Sequence, residues 1–422
     1  MTAAAGGYAA FYWPLALTSV VMLLESQFQN GVLARYPDAE RELATFALAS
    51  SSFQFVGAML AFVPQMVTVL ARTPADRAMC RFFVNAIGVL LSLPLLAMGF
   101  TAAGQAALAR LMNISPETLP AVTRYLQWLA PLVWVNAIRH YGTGILVLGR
   151  KTRLVTLLNA VHLAVLVGVL LAGRGAGIGA LPTLALATVL SNVLHLVLVT
   201  AVSRKIAIPE AGGEGRPPVT LATMLHFFWP LAATSGLFAM SRPVLYAYIN
   251  LAPNPVVTVA ALRVAFDFGS IFQNPVNQFR HLYATFGGED PRGVARFMFQ
   301  VTGLLTLIMA ACVFSPLSRL LFGRVLGLEG EVMTAAVQAV QVMCLVPAVI
   351  CARNVYHGKM MVHRKTVGMA LAALFRVLAM GLAAKIMLEA GWLDHVTGSV
   401  ILVLGFVVEM AMVRHAVRRR RT

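Results

Sequence analysis

Long apolar runs recur along the whole chain, and they limit what it can fold into more than any other feature. A membrane helix needs about 20 predominantly apolar residues. Twelve runs meet that length, at 11–33, 43–70, 81–104, 121–148, 153–173, 179–203, 221–251, 256–284, 293–321, 333–361, 366–390 and 396–416. Backbone polar groups inside a bilayer must be satisfied within the segment, so each run is predicted to be a helix. The predicted fold class is an all-α integral membrane protein with twelve transmembrane helices.

Composition supports a bilayer as the solvent of this chain. Of its 422 residues, 59% are hydrophobic and only 12% are charged, and the mean hydropathy is +0.79. These values lie outside the range of soluble globular proteins. The first run starts near Phe11 without a preceding basic region or a small-residue cleavage site, which predicts a retained first span instead of a signal peptide.

The basic residues indicate topology. The net charge is +17, but Arg and Lys fall between the apolar runs instead of forming one stripe, so nucleic acid is not an expected partner. The loops after even-numbered spans and the C-terminus hold the larger share, namely Arg72, Arg77, Arg81, Arg150, Lys151, Arg153, Arg204, Lys205, Arg216, Arg292, Arg296, Arg364, Lys365 and Arg418 to Arg421. Positive loops stay in the cytoplasm, so both termini are predicted to be cytoplasmic. The Ala- and Arg-rich composition favours a bacterial inner (plasma) membrane.

The two halves of the chain repeat each other. Residues 11–19 read FYWPLALTS and residues 227–235 read FFWPLAATS, an offset of 216 between Trp13 and Trp229. Between the halves lies the only Gly-, Pro- and charge-rich segment, IAIPEAGGEGRPPVT. The predicted organisation is an N-terminal six-helix lobe (1–205), a cytoplasmic interlobe linker (206–220) and a C-terminal six-helix lobe (221–422). Six spans per half give both lobes the same orientation, with a pseudo-twofold axis along the membrane normal and a central cavity.

Charged residues inside the spans are the candidate functional residues. Each costs several kcal/mol at bilayer depth, so such residues face a watery cavity or a partner. They are Glu25, Arg139, Arg242, Arg263, Asp267, Arg353, Lys359, Arg376 and Glu409. At an offset of 214 the repeat pairs polar positions, aligning Arg139 with Arg353, His162 with Arg376 and His195 with Glu409. This pattern favours a shared cavity wall, with Arg242 and Arg353 as the foremost lining residues.

Structural explanations compete at several of these positions. Arg263 and Asp267 are four residues apart on one helix and are interpreted as a neutralising pair. Lys359 and Arg280 lie near cytoplasmic ends, where long basic side chains reach the interface. Glu25 is either a counter-charge to Arg242 or a group that titrates and couples transport.

Other sequence motifs indicate neither metal nor catalysis. His162 and His195 are interpreted as helix-contact residues, since no second ligand follows at a three- or four-residue spacing. The sequence holds no nucleophile elbow, zinc-protease motif or Walker motif, so no enzymatic activity and no cofactor are predicted. Proline occurs at paired positions in the halves, which predicts bends or breaks in the spans at Pro14, Pro131, Pro230 and Pro347.

Several stretches resemble one known family, the progressive ankylosis proteins, which are distant relatives of the MATE and lipid-flippase exporters within the MOP superfamily. They are the YWPL opening at Tyr12, ESQFQNG from Glu25, FFWPLA followed by Ser241-Arg242-Pro243, NQFRHLYATF around Arg280, and 346–365 with its Arg353. The resemblance implies a MATE-like fold of two six-helix lobes. It also implies export of pyrophosphate, citrate or nucleotide phosphates.

The residues themselves agree with an anionic substrate, because guanidinium groups match phosphates and carboxylates in two-point contacts. The hypothesis is a transporter, acting as a monomer in the lipid bilayer, that exports a small anionic substrate by alternating access. The predicted substrate-binding residues are Arg242, Arg353, Arg376, Arg139, Glu25, Asn30 and Arg280. Alternatives are a MATE-type cation or drug antiporter, which would centre on carboxylates, a lipid-linked precursor flippase, and a membrane protein without transport activity.

Overall fold

The computed structural model describes residues 7–13, 16–17, 23–149, 151–206, 219–362 and 367–418. The predicted interlobe linker and the terminal RRRRT fall almost wholly outside these ranges, as do Arg150, Arg216, Arg364, Lys365 and Pro14. Throughout the described ranges the secondary structure is helical, with short connections.

The first half of the chain begins with helical residues 7–13 and continues through eight helices. They are α1 (Leu24–Leu33), α2 (Ala39–Met59), α3 (Val63–Leu70), α4 (Pro74–Phe100), α5 (Ala102–Met112), α6 (Leu119–Leu148), α7 (Thr152–Gly175) and α8 (Ala180–Arg204). A short 3-10 turn (Leu60–Phe62) joins α2 to α3.

The second half contains nine helices in its described part. They are α9 (Leu221–Ala239), α10 (Ser241–Ile249), α11 (Pro255–Asn277), α12 (Phe279–Phe286), α13 (Pro291–Phe314), α14 (Gly330–Met343), α15 (Val346–Val362), α16 (Val367–Glu389) and α17 (His395–Arg418). A π-helical segment (Arg319–Val325) follows α13.

Within the described ranges, nine helical stretches are long and apolar enough to cross a membrane. They are Ala39–Leu70, Pro74–Phe100, Arg153–Gly175, Ala180–Arg204, Pro255–Asn277, Pro291–Phe314, Gly330–Met360, Gly368–Glu389 and His395–Val417. Each overlaps one predicted span. The predicted spans at 11–33, 121–148 and 221–251 are not among them: the first includes residues outside the description, the second is the polar-rich helix α6, and the third divides at Met240. The chain is therefore a multi-pass membrane protein, and the count of twelve spans stays a prediction.

Contacts between helices group the chain into two compact units. One comprises Leu48–Pro243 and is called the 48–243 unit here. The other comprises Met1–Ala47 with Val244–Thr422 and is called the 244–422 unit. The units cut the chain inside α2 and α10, whereas the sequence repeat divides it at 206–220. The predicted lobes rest on that repeat and stay a prediction.

In the 48–243 unit, side chains at the start of α4 cap the helix. The Thr73 hydroxyl accepts from the Asp76 backbone N–H at 3.1 Å, and the Asp76 carboxylate accepts from the Thr73 N–H at 3.2 Å, while Pro74 occupies the first turn. This reciprocal capping satisfies donors that a helix start otherwise leaves open. The second carboxylate oxygen of Asp76 accepts from the Val219 N–H at 3.0 Å. Asp76 therefore both starts α4 and holds the chain segment before α9.

In the 244–422 unit, α11 is the most enclosed helix. Every residue from Thr258 to Gly269 is buried, and α14, α15 and α17 pack against it. Asn254, in the left-handed region at φ 51°, and Pro255 set its start. The helix ends at Asn277, so the predicted span at 256–284 is divided between α11 and α12.

The prolines act differently from one another. Pro347 follows directly on the interruption between α14 and α15, as predicted. Pro131 lies inside the continuous helix α6, so the span is not broken there, and a bend at Pro131 stays a prediction. A proline removes one backbone hydrogen bond but does not force a break when neighbouring helices hold the segment. Pro230 lies within α9.

Candidate functional site

A buried carboxylate joins three helices of the 244–422 unit. Glu409 on α17 accepts hydrogen bonds through its Oε2 from Arg353 Nη1 on α15 and from Arg376 Nη1 on α16, each at 3.0 Å. The exposed fraction is 2% for Glu409, 4% for Arg353 and 0% for Arg376. A charge this deep is tolerated only with a partner and further hydrogen bonds. We call Arg353, Arg376 and Glu409 the Glu409 cluster.

Neighbouring groups complete the Glu409 cluster. Arg353 Nη2 donates to Asn277 Oδ1 at 2.7 Å, and Nε2 of His357 lies 3.7 Å from Glu409 Oε1. The ring of Phe406 lies under both guanidiniums, 5.5 Å from Arg353 Cζ and 5.3 Å from Arg376 Cζ. Such cation–π contacts stabilise a desolvated cation. His357 is one helical turn after Arg353, which places both side chains on the same face of α15.

The cluster carries more positive than negative charge. Two guanidiniums share the single carboxylate of Glu409, and Arg280 on α12 is close enough to interact electrostatically with Arg353. Arg280 is half-buried. The arrangement therefore holds a fixed carboxylate while keeping a local surplus of cationic donors.

A second buried cluster lies in the same unit and contains Asn30. The side-chain amide of Asn30 donates to Asp267 Oδ2 at 3.0 Å, while its oxygen accepts from Arg263 Nε at 2.8 Å. Arg263 and Asp267 are themselves 4.0 Å apart, and the Phe46 ring lies 4.2 Å from the Arg263 guanidinium. The predicted Arg263–Asp267 ion pair is confirmed. Asn30 is fully buried within it, as a link between the two charges.

The 48–243 unit contains the repeat counterpart of the Glu409 cluster. Arg139 on α6 donates through Nη1 to Asn192 Oδ1 on α8 at 2.9 Å. The rings of His162 on α7 and His195 on α8 have centroids 5.3 Å apart, and Arg139 interacts electrostatically with His195. Each trio that the 214-residue offset aligns is thus assembled inside one unit. Where the second half has Glu409, the first half has a histidine.

The remaining predicted site residues lie elsewhere. Glu25, on α1, is half-buried and accepts from Gln29 Nε2 at 3.4 Å. Arg242 is half-buried near the start of α10. The structure thus brings Arg353 and Arg376 together, with Arg280 nearby, and puts Asn30 into a different cluster.

Burial and pairing count against the prediction that Arg353 lines an open cavity. The sequence predicts Glu409 as a charge inside the membrane but not as a site residue, and it does not predict His357 or Asn277 at the site. The repeat alignment held the signal for Glu409, because it paired that residue with a polar position on the equivalent helix. Asn277 ends α11, and nothing in its own sequence context indicates contact with a residue 76 positions away.

Solved structures with the same fold are transporters. The chain is similar to an inward-facing multidrug resistance MATE family transporter of the MOP superfamily, with a TM-score of 0.75, 14% identity and coverage of 96% of this chain and 97% of that one. It is also similar to the lipid II flippase MurJ in an inward closed conformation, with a TM-score of 0.73, 13% identity and coverage of 97% of this chain and 87% of that one. A third similar structure is a MOP superfamily transporter from Pyrococcus furiosus that is described by the reverse polarity of its binding pocket. Its TM-score is 0.56, its identity is 14%, and the match covers 96% of this chain and 94% of that one.

The fold defines the class: a multi-pass membrane protein with the transporter fold shared by the MATE family transporter and MurJ. The sequence model described as Progressive ankylosis protein (ANKH) matches residues 4–292, more than half of the chain. The chain belongs to the progressive ankylosis protein family.

Proposed function

We propose that this protein exports small polyvalent anions across the membrane, with pyrophosphate, citrate or nucleotide phosphates as the substrate class. The observation that carries the proposal is the Glu409 cluster, where two buried arginines share one carboxylate and a third arginine lies nearby. A guanidinium fork suits phosphate and carboxylate groups equally. Membership in the progressive ankylosis family supports the same substrate class.

The proposed mechanism includes a step in which the substrate replaces one contact of Glu409. Its carboxylate occupies the groups that would otherwise bind an anion, Nη1 of Arg353 and of Arg376. A substrate phosphate or carboxylate that reaches Arg353 replaces one of these contacts, while Arg376 continues to neutralise Glu409. Because one charge-assisted contact substitutes for another, the exchange avoids leaving an uncompensated charge at bilayer depth.

The rest of the proposal concerns the pathway. Twelve spans in two six-helix lobes would alternate access, with Arg242, Arg139, Glu25, Asn30 and Arg280 as further residues for substrate contact or charge balance. In this proposal the protein is a monomer in the inner (plasma) membrane, and both of its termini lie in the cytoplasm. An inside-negative potential drives anion exit by about 2.3 kcal/mol per charge per 100 mV, so export of a trianion needs no coupled proton.

The solved structures support transport without choosing the substrate. At identities of 13–14%, these structures show a shared fold and do not identify the substrate. One is described as a multidrug transporter and one as a lipid II flippase, and the Pyrococcus furiosus protein shows that pocket polarity differs among proteins of this fold. Organic cations and lipid-linked precursors are therefore the competing substrates.

Transport in proteoliposomes tests the proposal. Purified protein should release radiolabelled pyrophosphate and citrate under an imposed potential, and Arg353→Ala or Arg242→Ala should reduce that flux. Loss of one charge-assisted contact is worth about 1.5–3 kcal/mol, or roughly ten- to a hundredfold in affinity. Arg353→Ala leaves Glu409 with Arg376, so the protein should remain folded. Lys385→Ala, which removes an exposed cation from α16, is the matched control and should transport normally.

Two outcomes would contradict the anion exporter. Flux that is unchanged in both arginine variants removes the basis of the proposal. Uptake of organic cations with no flux of pyrophosphate or citrate favours the MATE-type alternative, and scrambling of a lipid-linked precursor favours the flippase.

A further inference from the structure

We propose that a second, separate site in the 48–243 unit binds a phosphate group. A cavity of 420 Å³ lies among α4, α6 and α8. Its polar lining comes from Arg77 and Arg81 on α4, Tyr141 on α6, and Thr200, Ser203 and Arg204 on α8. We call it the arginine pocket. It shares no residue with the Glu409 cluster or with the predicted substrate-binding set, so it stands independently of the proposed function.

Helix geometry brings these side chains together. Arg77 and Arg81 are four residues apart and share one face of α4, and Ser203 and Arg204 lie in the last turn of α8. The Tyr141 hydroxyl donates to the Arg77 carbonyl at 3.1 Å, which fixes α6 against α4. At Gly142 a β-carbon would lie 3.2 Å from Val199, so the glycine permits the close approach of α6 and α8.

The charge in the arginine pocket is one-sided. Among the described residues, none of its three arginines forms a salt bridge with a carboxylate. The neighbouring Asp76 already accepts from Thr73 and Val219 backbone donors. The Arg77 guanidinium makes a long hydrogen bond, 3.4 Å, from its Nη1 to the Arg72 carbonyl. Several guanidiniums with hydroxyls at one cavity form a site that matches the oxygens of a phosphate.

A lipid is the source of phosphate that the surroundings favour. The pocket lies at the start of α4 and the end of α8, on the membrane face to which the positive-inside rule assigns the cytoplasm. On the same helices, Phe82 of α4 is 63% exposed and Val197 of α8 is 57% exposed. An acyl chain can lie along these apolar surfaces while the headgroup occupies the pocket. Basic pockets between transmembrane helices on the cytoplasmic side bind anionic headgroups in this manner.

Lipid binding to the purified full-length protein tests the site. Native mass spectrometry compares phosphatidic acid with diacylglycerol of the same chains, and a separate titration uses free pyrophosphate. The test variant carries Arg81→Gln with Arg204→Gln. The matched control carries Arg153→Gln with Lys205→Gln, which removes two exposed positive charges, one at the start of α7 and one directly after α8, without changing a residue that lines the pocket.

Phosphatidic acid should bind the wild-type protein and the control alike, and the test variant at least tenfold more weakly, with diacylglycerol weak throughout. Loss of pyrophosphate binding in the test variant, with unchanged phosphatidic acid binding, supports the phosphate site and assigns it to a soluble ligand. Equal affinities of test and control variants for both probes overturn the proposal. Should the glutamine pair not fold, Arg81→Lys with Arg204→Lys keeps the charge but loses the fork, and wild-type affinity in that variant overturns the proposal as well.

Discussion

At the residue scale, two clusters of buried charges are stabilised by partners that each contact two charged side chains. Glu409 serves two arginines, and Asn30 links Arg263 with Asp267. Low dielectric makes an unpartnered charge costly, so each shared partner supports more than one side chain. Removing a shared partner should therefore cost more than removing one of the groups it serves.

Glu409→Gln tests this sharing. The substitution leaves Arg353 and Arg376 buried without their carboxylate, and breaking a buried pair costs about 3–5 kcal/mol. We expect a clear fall in the melting temperature of the detergent-purified protein, followed by intrinsic tryptophan fluorescence. Glu389→Gln is the control, because Glu389 forms an exposed pair with Lys385 at 3.7 Å and such pairs contribute at most about 1 kcal/mol. Equal melting temperatures for the two variants would show that Glu409 is not required by its arginines.

At the element scale, small residues set how closely helices pack. In a bilayer, close backbone approach through Gly and Ala replaces the hydrophobic driving force that joins helices in water. A β-carbon on Gly88 of α4 would lie 2.7 Å from the β-carbon of Ala137 on α6, closer than real side chains approach. The contact between α4 and α6 therefore depends on glycine at position 88.

Gly88→Ala should destabilise the protein by about 1–3 kcal/mol, since the added methyl group forces the two helices apart. Gly168→Ala is the matched control within α7, where nothing lies within 4 Å of the new carbon. There alanine should be neutral or slightly stabilising, because it favours a helix over glycine by about 0.5–1 kcal/mol. Thermal unfolding of both variants decides, and a Gly88→Ala protein as stable as Gly168→Ala would refute the packing argument.

For the whole molecule, the distribution of basic residues predicts the orientation in the membrane. Lys151 and Ala176 lie at opposite ends of α7 and are both exposed. The positive-inside rule assigns Lys151 to the cytoplasm and Ala176 to the other side. The direction of the proposed transport depends on this orientation.

Cysteine labelling measures it. In a background with Cys80, Cys312, Cys344 and Cys351 replaced, Ala176→Cys should react with a membrane-impermeant maleimide in intact cells. Lys151→Cys should react only after the membrane is opened. The reverse pattern would invert the topology and, with it, the assignment of the arginine pocket to the cytoplasmic face.

A helical, membrane-spanning chain can be predicted from the sequence alone, because bilayer thickness and backbone hydrogen bonding act on each segment separately. The repeat, read from local strings, also determined the register that aligns Arg139 with Arg353. The Arg263–Asp267 pair was predictable because both residues lie on one helix. The family resemblance depends on short stretches of sequence, such as the YWPL opening at Tyr12 and ESQFQNG from Glu25.

The partner of each buried charge, in contrast, depends on how the helices pack together. Glu409 lies 56 residues from Arg353, and Asn30 lies 233 residues from Arg263, so both contacts depend on how separate helices rotate and pack. The same holds for the arginine pocket, whose α4 and α8 arginines are more than a hundred residues apart in sequence. The hydropathy of the sequence shows which charges lie at bilayer depth and therefore need a partner. It does not show how each helix is rotated about its axis, which decides the partner that the charge contacts. That rotation turned Arg353 from an expected cavity residue into one buried against a carboxylate.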